Sequence, residues 1–194
     1  MNKIFEKLTN QLTETIDSSV ALALHNKNQE VEVIHLLWAL LSNTNSVLNQ
    51  LLNKMNVNKV AVELEAKSYA SKLPSVSSVT KEGINWSRNR LSSLQNAEGI
   101  MASFGDKFIA VDTWLISNLD SSVIKDVLGK YVDLKEAKKE LEAMRAGKTI
   151  DSNSGDENLE ALNKYGIDLN KKAIDGELDP VIGRDEQISR MMQI

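Results

Sequence analysis

The chain has 194 residues, 42% hydrophobic and 26% charged, with two prolines, nine glycines and no cysteine. That length suits one domain plus an appendage, and the composition is too apolar for wholesale disorder. Without cysteine there can be no disulfide, thiolate metal site, iron–sulfur cluster or cysteine nucleophile. The net charge of −4 is unevenly placed: residues 1–150 carry 18 Lys/Arg against 17 Asp/Glu, and residues 151–194 carry 5 against 10.

Few helix breakers and many Leu, Ala, Lys and Glu predict a mostly helical protein. The first helix is expected over 9–26. Leu12, Ile16, Ser19, Val20 and Ala23 form its apolar stripe, and Thr9 and Asn10 are candidate caps. Three more follow at 34–42, 46–55 and 59–72, the last with a face of Val60, Ala61, Leu64 and Ser68. Lys72–Thr80, with Pro74 and its serines, is a break. A second set is expected at 81–103, 112–119, 122–131 and 134–146. Asp112 is a cap in this set, and Asp133 with Glu136 has capping-box spacing. Gly147–Asp156 is polar and glycine-flanked, hence a flexible linker. Short helices are expected at 157–165 and 168–174. An extended loop comes next at 177–183, where Pro180 disfavours helix at Asp179. A last helix starts at Asp185, and its apolar face is still running at Ile194, as in a piece of a longer protein.

The two sets of helices are a repeat. At an offset of 78, Val31 meets Ile109, Val33 meets Val111, Leu37 meets Leu115, Leu41 meets Leu119 and Ile16 meets Leu94. Each unit reads as a helix, an extended link and three further helices.

Catalytic chemistry finds little support. His25 and His35 lie in different elements without carboxylates at ligand spacing, so both read as surface or core-edge residues and no metal site is expected. No G-x-S-x-G, G-x-x-x-x-G-K-[ST] or G-x-G-x-x-G occurs. Gly147-Lys148-Thr149 lacks the earlier glycine, because Glu142 stands there. The nearly neutral repeats have no basic excess for a nucleic acid. No apolar run of about 18 residues is present, so no membrane span is expected, nor is there a signal-peptide core. A cytosolic setting fits. Trp38, Trp86 and Trp114 read first as core. The junction of two helical units leaves a groove suited to extended peptide.

Ala161-Leu-Asn-Lys-Tyr-Gly-Ile-Asp-Leu169 and Gly176-Glu-Leu-Asp-Pro-Val-Ile-Gly-Arg-Asp-Glu186 resemble the entry to the first ATPase module of the Clp-family AAA+ unfoldases, most of all the bacterial disaggregase branch. The duplicated unit resembles that family's N-terminal repeat domain. The resemblance implies an all-α fold over 1–146, with repeats at about 5–73 and 80–146. It implies a linker at 147–158 and the truncated start of an AAA+ module at 159–194. It further implies an ATP-driven cytoplasmic homohexamer that threads unfolded or aggregated polypeptide with the DnaK chaperone system. Thr9, Asp106 and Asp112 match family substrate-binding positions, though the family has glutamate at the last. Leu12, Leu94 and Ile100 match its apolar groove. Val181, Ile182 and Gly183 match the adenine pocket of an ATPase that takes ATP with magnesium. Without Walker A or B motifs the fragment itself is expected to be no enzyme. The competing expectation is an adaptor-docking domain of a Clp unfoldase that feeds a protease.

Overall fold

The computed structural model describes residues 3–81 and 83–156. Among them, eight α-helices carry the fold: α1 (Asn10–His25), α2 (Val33–Ser42), α3 (Val47–Lys54), α4 (Lys59–Ser71), α5 (Arg88–Met101), α6 (Val111–Asn118), α7 (Ser122–Val127) and α8 (Leu134–Arg145). Two short strands, β1 (Glu30–Val31) and β2 (Asn85–Trp86), pair in parallel. The chain divides into units 1–163 and 164–194, and every described residue belongs to the first. The elements expected beyond residue 156 lie outside the described residues.

Most helix starts depend on one short polar side chain. Thr9 accepts a hydrogen bond from Leu12 N, Ser46 from Asn49 N, Ser87 from Arg90 N and Ser121 from Ile124 N. Asn58 and Asp133 do the same for α4 and α8. Each such cap contributes about 1 kcal/mol. The helix expected over 81–103 begins only at Arg88, because Asn85 and Trp86 pair with Glu30 and Val31 and Ser87 then caps α5. Gly105, at φ 75°, closes the turn after Ala102–Phe104 and directs the chain into the second extended link.

One apolar core spans both repeats. Helix α2 runs through it and buries every residue from Val33 to Leu41. The expected α1 stripe is present, with Leu12, Ile16, Ser19 and Ala23 buried. Trp38 and Trp114 are core, and Trp86 is half-buried. The expected α4 face is not. Val60 and Leu64 are 62% and 59% exposed, and the helix instead buries Val62, Ala66 and Ala70. Two alanines spaced four apart let α4 approach α2 closely, and closeness outweighs the transfer energy of one leucine. Ala66→Leu is therefore expected to cost about 1–3 kcal/mol by overpacking. Leu64→Ser is expected to stay within about 0.5 kcal/mol. Urea unfolding of the two variants checks both.

The repeats grip each other by exchange. Leu8, just before α1, bridges Ile109 in the second extended link. Trp86, just before α5, pairs with Val31 in the first. These pairs interconvert under the 78-residue offset read from the sequence, so the contact is a pseudo-twofold one.

Candidate functional site

The end of α5, the second link and the ends of α6 and α8 converge on three charged side chains. Asp106 opens the link, Asp112 lies in the first turn of α6, and Arg145 is the last residue of α8. Arg145 Nη2 donates to both Asp106 carboxylate oxygens. Its Nη1 donates to Asp112 Oδ2 at 3.2 Å and to Thr113 Oγ1 at 3.0 Å, and its Nε donates to Lys148 O at 3.1 Å. All five guanidinium donors are thus used. The cation also lies over Phe104, 4.5 Å from the ring centre. All three charged side chains are buried. Burial pushes the Asp112 carboxyl up from its ordinary range, and the Arg145 charge opposes that shift.

Over this cluster runs the segment expected to be a flexible linker. Residues 147–156 are bound to the domain, which corrects that expectation. Ile150 N donates to Asp106 Oδ1 at 2.7 Å, while Lys107 N and Phe108 N donate to Ile150 O at 2.8 and 3.3 Å. Ile150 is buried against Ala110 and the half-buried Phe108. Asn10 N donates to Asn153 O at 2.7 Å, and Thr9 Oγ1 donates to Asp156 Oδ2 at 2.6 Å. Gly155 is required here, since a Cβ at that position would stand 2.8 Å from Ile150 Cγ2. Polar composition suggested a mobile tether, but buried acceptors and unpaired amides on the link claim the backbone.

Thr9, Asp106 and Asp112 are therefore brought to one region, but not as an open rim. All three are buried. Thr9 caps α1 and ties Asp156, while both aspartates are held by Arg145. Leu12 lies wholly in the core, and Ile100 is half-buried against it. Leu94 is fully buried too, beneath an open cavity of about 250 Å³ lined by Lys3, Ile4, Leu91, Gln95 and Glu98. That cavity joins the lead-in of the first repeat to α5 of the second. Val181, Ile182 and Gly183 lie outside the described residues. Sequence reasoning missed Arg145, which ends a helix where basic residues are unremarkable, and Ile150, a lone aliphatic residue in a polar stretch.

The first repeat holds the counterpart of this cluster in neutral form. Asn28 stands at the position equivalent to Asp106, and His35 at that of Thr113. His35 Nε2 lies 3.1 Å from Asn28 Oδ1, and His35 Nδ1 accepts from Glu32 N at 2.9 Å. That arrangement needs the neutral imidazole with its proton on Nε2. Burial, and then the Arg90 charge, lower its pKa to about 4. His35 is thus a core residue, not the surface or core-edge residue expected. Asn28 Nδ2 donates to Pro74 O at 3.0 Å, so the connector after α4 is strapped down just as the segment after α8 is. Arg90, the counterpart of Leu12, lies buried with its guanidinium 3.4 Å from the Trp86 ring centre. Burial lowers its pKa to about 9, against the pull of Asp17.

Two helical repeats exchanging their lead-in segments define a Clp-type N-terminal domain, and residues 7–131 match the Clp repeat (R) N-terminal domain family. The chain belongs to that family. It is 57% identical over 190 residues to chaperone protein ClpB of Wolinella succinogenes, an alignment covering 98% of this chain and 22% of that protein. The chain thus spans about a fifth of the length of that relative. The fold is also that of the crystal structure of the Hsp104 N-terminal domain from Candida albicans, with TM-score 0.68 and 21% identity over 77% of this chain and 99% of that one. It is likewise that of the ClpV N-domain in complex with VipB peptide, with TM-score 0.58 and 16% identity over 75% and 91% of the two chains.

Proposed function

We propose that this domain engages unfolded or aggregated polypeptide and delivers it to an ATP-driven disaggregase of which the chain is the N-terminal part. The parent is then a cytoplasmic homohexamer that takes ATP with magnesium and works with the DnaK chaperone system. One observation carries the reading: the open cavity at the repeat junction, with Ile4 and Leu91 as its apolar surface and Lys3, Gln95 and Glu98 as a polar rim. Such a site takes apolar side chains without demanding a sequence. An unfolded client loses entropy on binding, so single-site affinity is modest and six tethered copies would supply avidity. Similarity to ClpB and to a peptide-bound ClpV N-domain supports a polypeptide ligand.

A second reading, docking of a folded adaptor, is favoured by Val60 and Leu64, an exposed apolar pair one turn apart on α4. The two readings predict opposite sensitivities. Titration with reduced, carboxymethylated lactalbumin is expected to weaken at least tenfold in Ile4→Gln/Leu91→Gln and to be unchanged in Val60→Ser/Leu64→Ser. The reverse pattern, or no binding by the parent chain, would defeat the first reading.

A further inference from the structure

We infer that the first repeat carries a ligand site of its own: the groove between α1 and α2 takes an extended polypeptide segment by means of one arginine side chain. The site shares no residue with the junction cavity, and it stands or falls separately from the client reading.

The groove has a volume of about 510 Å³. It runs along α1 from Gln11 to His25, and Ala39, Ser42 and Asn43 near the end of α2 line its other side. That stretch of helix is about 21 Å long at 1.5 Å per residue, the span of roughly six extended residues. The middle of the groove is apolar, with Ala21, Leu22 and Ala39. Glu14 is the one acidic group in the lining, and neither lysine nor arginine is present there. Glu14 is exposed and, among the described residues, pairs with no cation. The start of α1 and the end of α2 carry opposite partial charges, so the side chains set the preference at this end.

Gln11, three residues before Glu14 on the same face, supplies a second and independent observation. Its Oε1 is buried and accepts no hydrogen bond. Thr15 Oγ1 cannot satisfy it, because that hydroxyl donates to the Gln11 carbonyl at 2.8 Å. A buried acceptor left bare costs free energy. The missing group is therefore a donor, and beside a bare carboxylate it is a cationic one. Guanidinium suits the place better than ammonium. Its planar fork reaches two acceptors at once, and it is the more weakly hydrated of the two. The aliphatic stem would lie along Leu22 and Ala39.

The second repeat offers no such site. At the 78-residue offset, Asn89 stands for Gln11 and Ser92 for Glu14, so the acid is gone. The polar side chains there bond one another: Trp114 Nε1 donates to Ser93 Oγ at 3.0 Å, and Asn96 Nδ2 to Asn118 Oδ1 at 3.3 Å.

The test is a titration of the isotope-labelled 194-residue chain with the hexapeptide acetyl-Ala-Leu-Ser-Ala-Arg-Ser-amide, read by amide chemical shifts. Shifts are expected at 11–25 and 39–43. Citrulline in place of the arginine keeps the shape, removes the charge and is expected to weaken binding about tenfold. Glu14→Gln should weaken the arginine peptide by a similar factor and leave the citrulline peptide unchanged, so that the two losses do not add. Gln11→Leu should weaken the arginine peptide without lowering the Tm of the chain, since it removes an acceptor that the fold leaves unsatisfied. Ile4→Gln/Leu91→Gln, which disables the junction cavity, should leave the hexapeptide bound. Equal affinity for the arginine and citrulline peptides, an undiminished preference for arginine in Glu14→Gln, unchanged affinity in Gln11→Leu, or shifts confined to 91–98 would overturn the inference. Agmatine binding as tightly as the hexapeptide would overturn it as well, because the groove would then serve a small guanidine and not a segment.

Discussion

Arg145→Met is expected to destabilise the domain by about 3–5 kcal/mol, because it leaves the Asp106 and Asp112 carboxylates buried without their cation. For a domain of this size that corresponds to a fall in Tm of roughly 10 °C. The loss reports stranded charge more than the worth of the ion pairs. The triple variant Arg145→Met, Asp106→Asn, Asp112→Asn is therefore expected to recover much of it, since neutral amides replace both carboxylates and still accept hydrogen bonds. Urea unfolding of the single and triple variants checks the pair. A single variant within about 1 kcal/mol of the parent would mean that water reaches the cluster and solvates the aspartates.

Acid should unfold the domain through His35. The unfolded imidazole takes its proton near pH 6.5, and the folded one only at about 4. As pH falls through that window the unfolded state binds the extra proton, so stability is complete above about 6.5 and is lost progressively down to about 4. The total loss is at most about 3.4 kcal/mol, from the 1.36 kcal/mol carried by each pKa unit. The structural cause is plain. Burial comes first, since a charged imidazole would sit away from water in the core, and the Arg90 charge adds to it. His35→Gln should unfold more easily at pH 7 and lose most of the slope between pH 6.5 and 4. An unchanged slope in that variant would assign the acid transition to the carboxylates instead.

Much of the fold was legible because it rests on local rules. The caps at Thr9 and Asp133, the α1 stripe and the 78-residue repeat are all properties of short windows or of their self-similarity. What failed depended on a partner far away in sequence. Val60 and Leu64 looked like an inner face until Ala66 and Ala70 offered a closer approach to α2. Residues 81–87 looked helical because nothing local announces that Val31 claims Trp86. The site divides in the same way. Family likeness drew attention to Thr9, Asp106 and Asp112, and the structure does gather them. Whether a carboxylate faces a client or an arginine is a question of burial, and Arg145 lies 39 residues from Asp106. Ile150 was hidden by its neighbours, since a single aliphatic residue among polar ones makes no periodic signal.

The exchanged lead-in segments also bear on how the chain acquires its shape. The bond from Thr9 to Ile109 spans 100 residues, and the one from Ser87 to Glu32 spans 55. Closing the longer loop costs only about 0.5 kcal/mol more entropy than the shorter, so distance alone does not order the steps. Neither repeat, however, can complete its edge until the other has been synthesised. The first, with α2 almost entirely apolar, must hold that surface until the second arrives. A nascent chain carrying only the first repeat therefore presents the kind of exposed apolar segment that chaperones bind, and the domain is committed to folding late and as one unit.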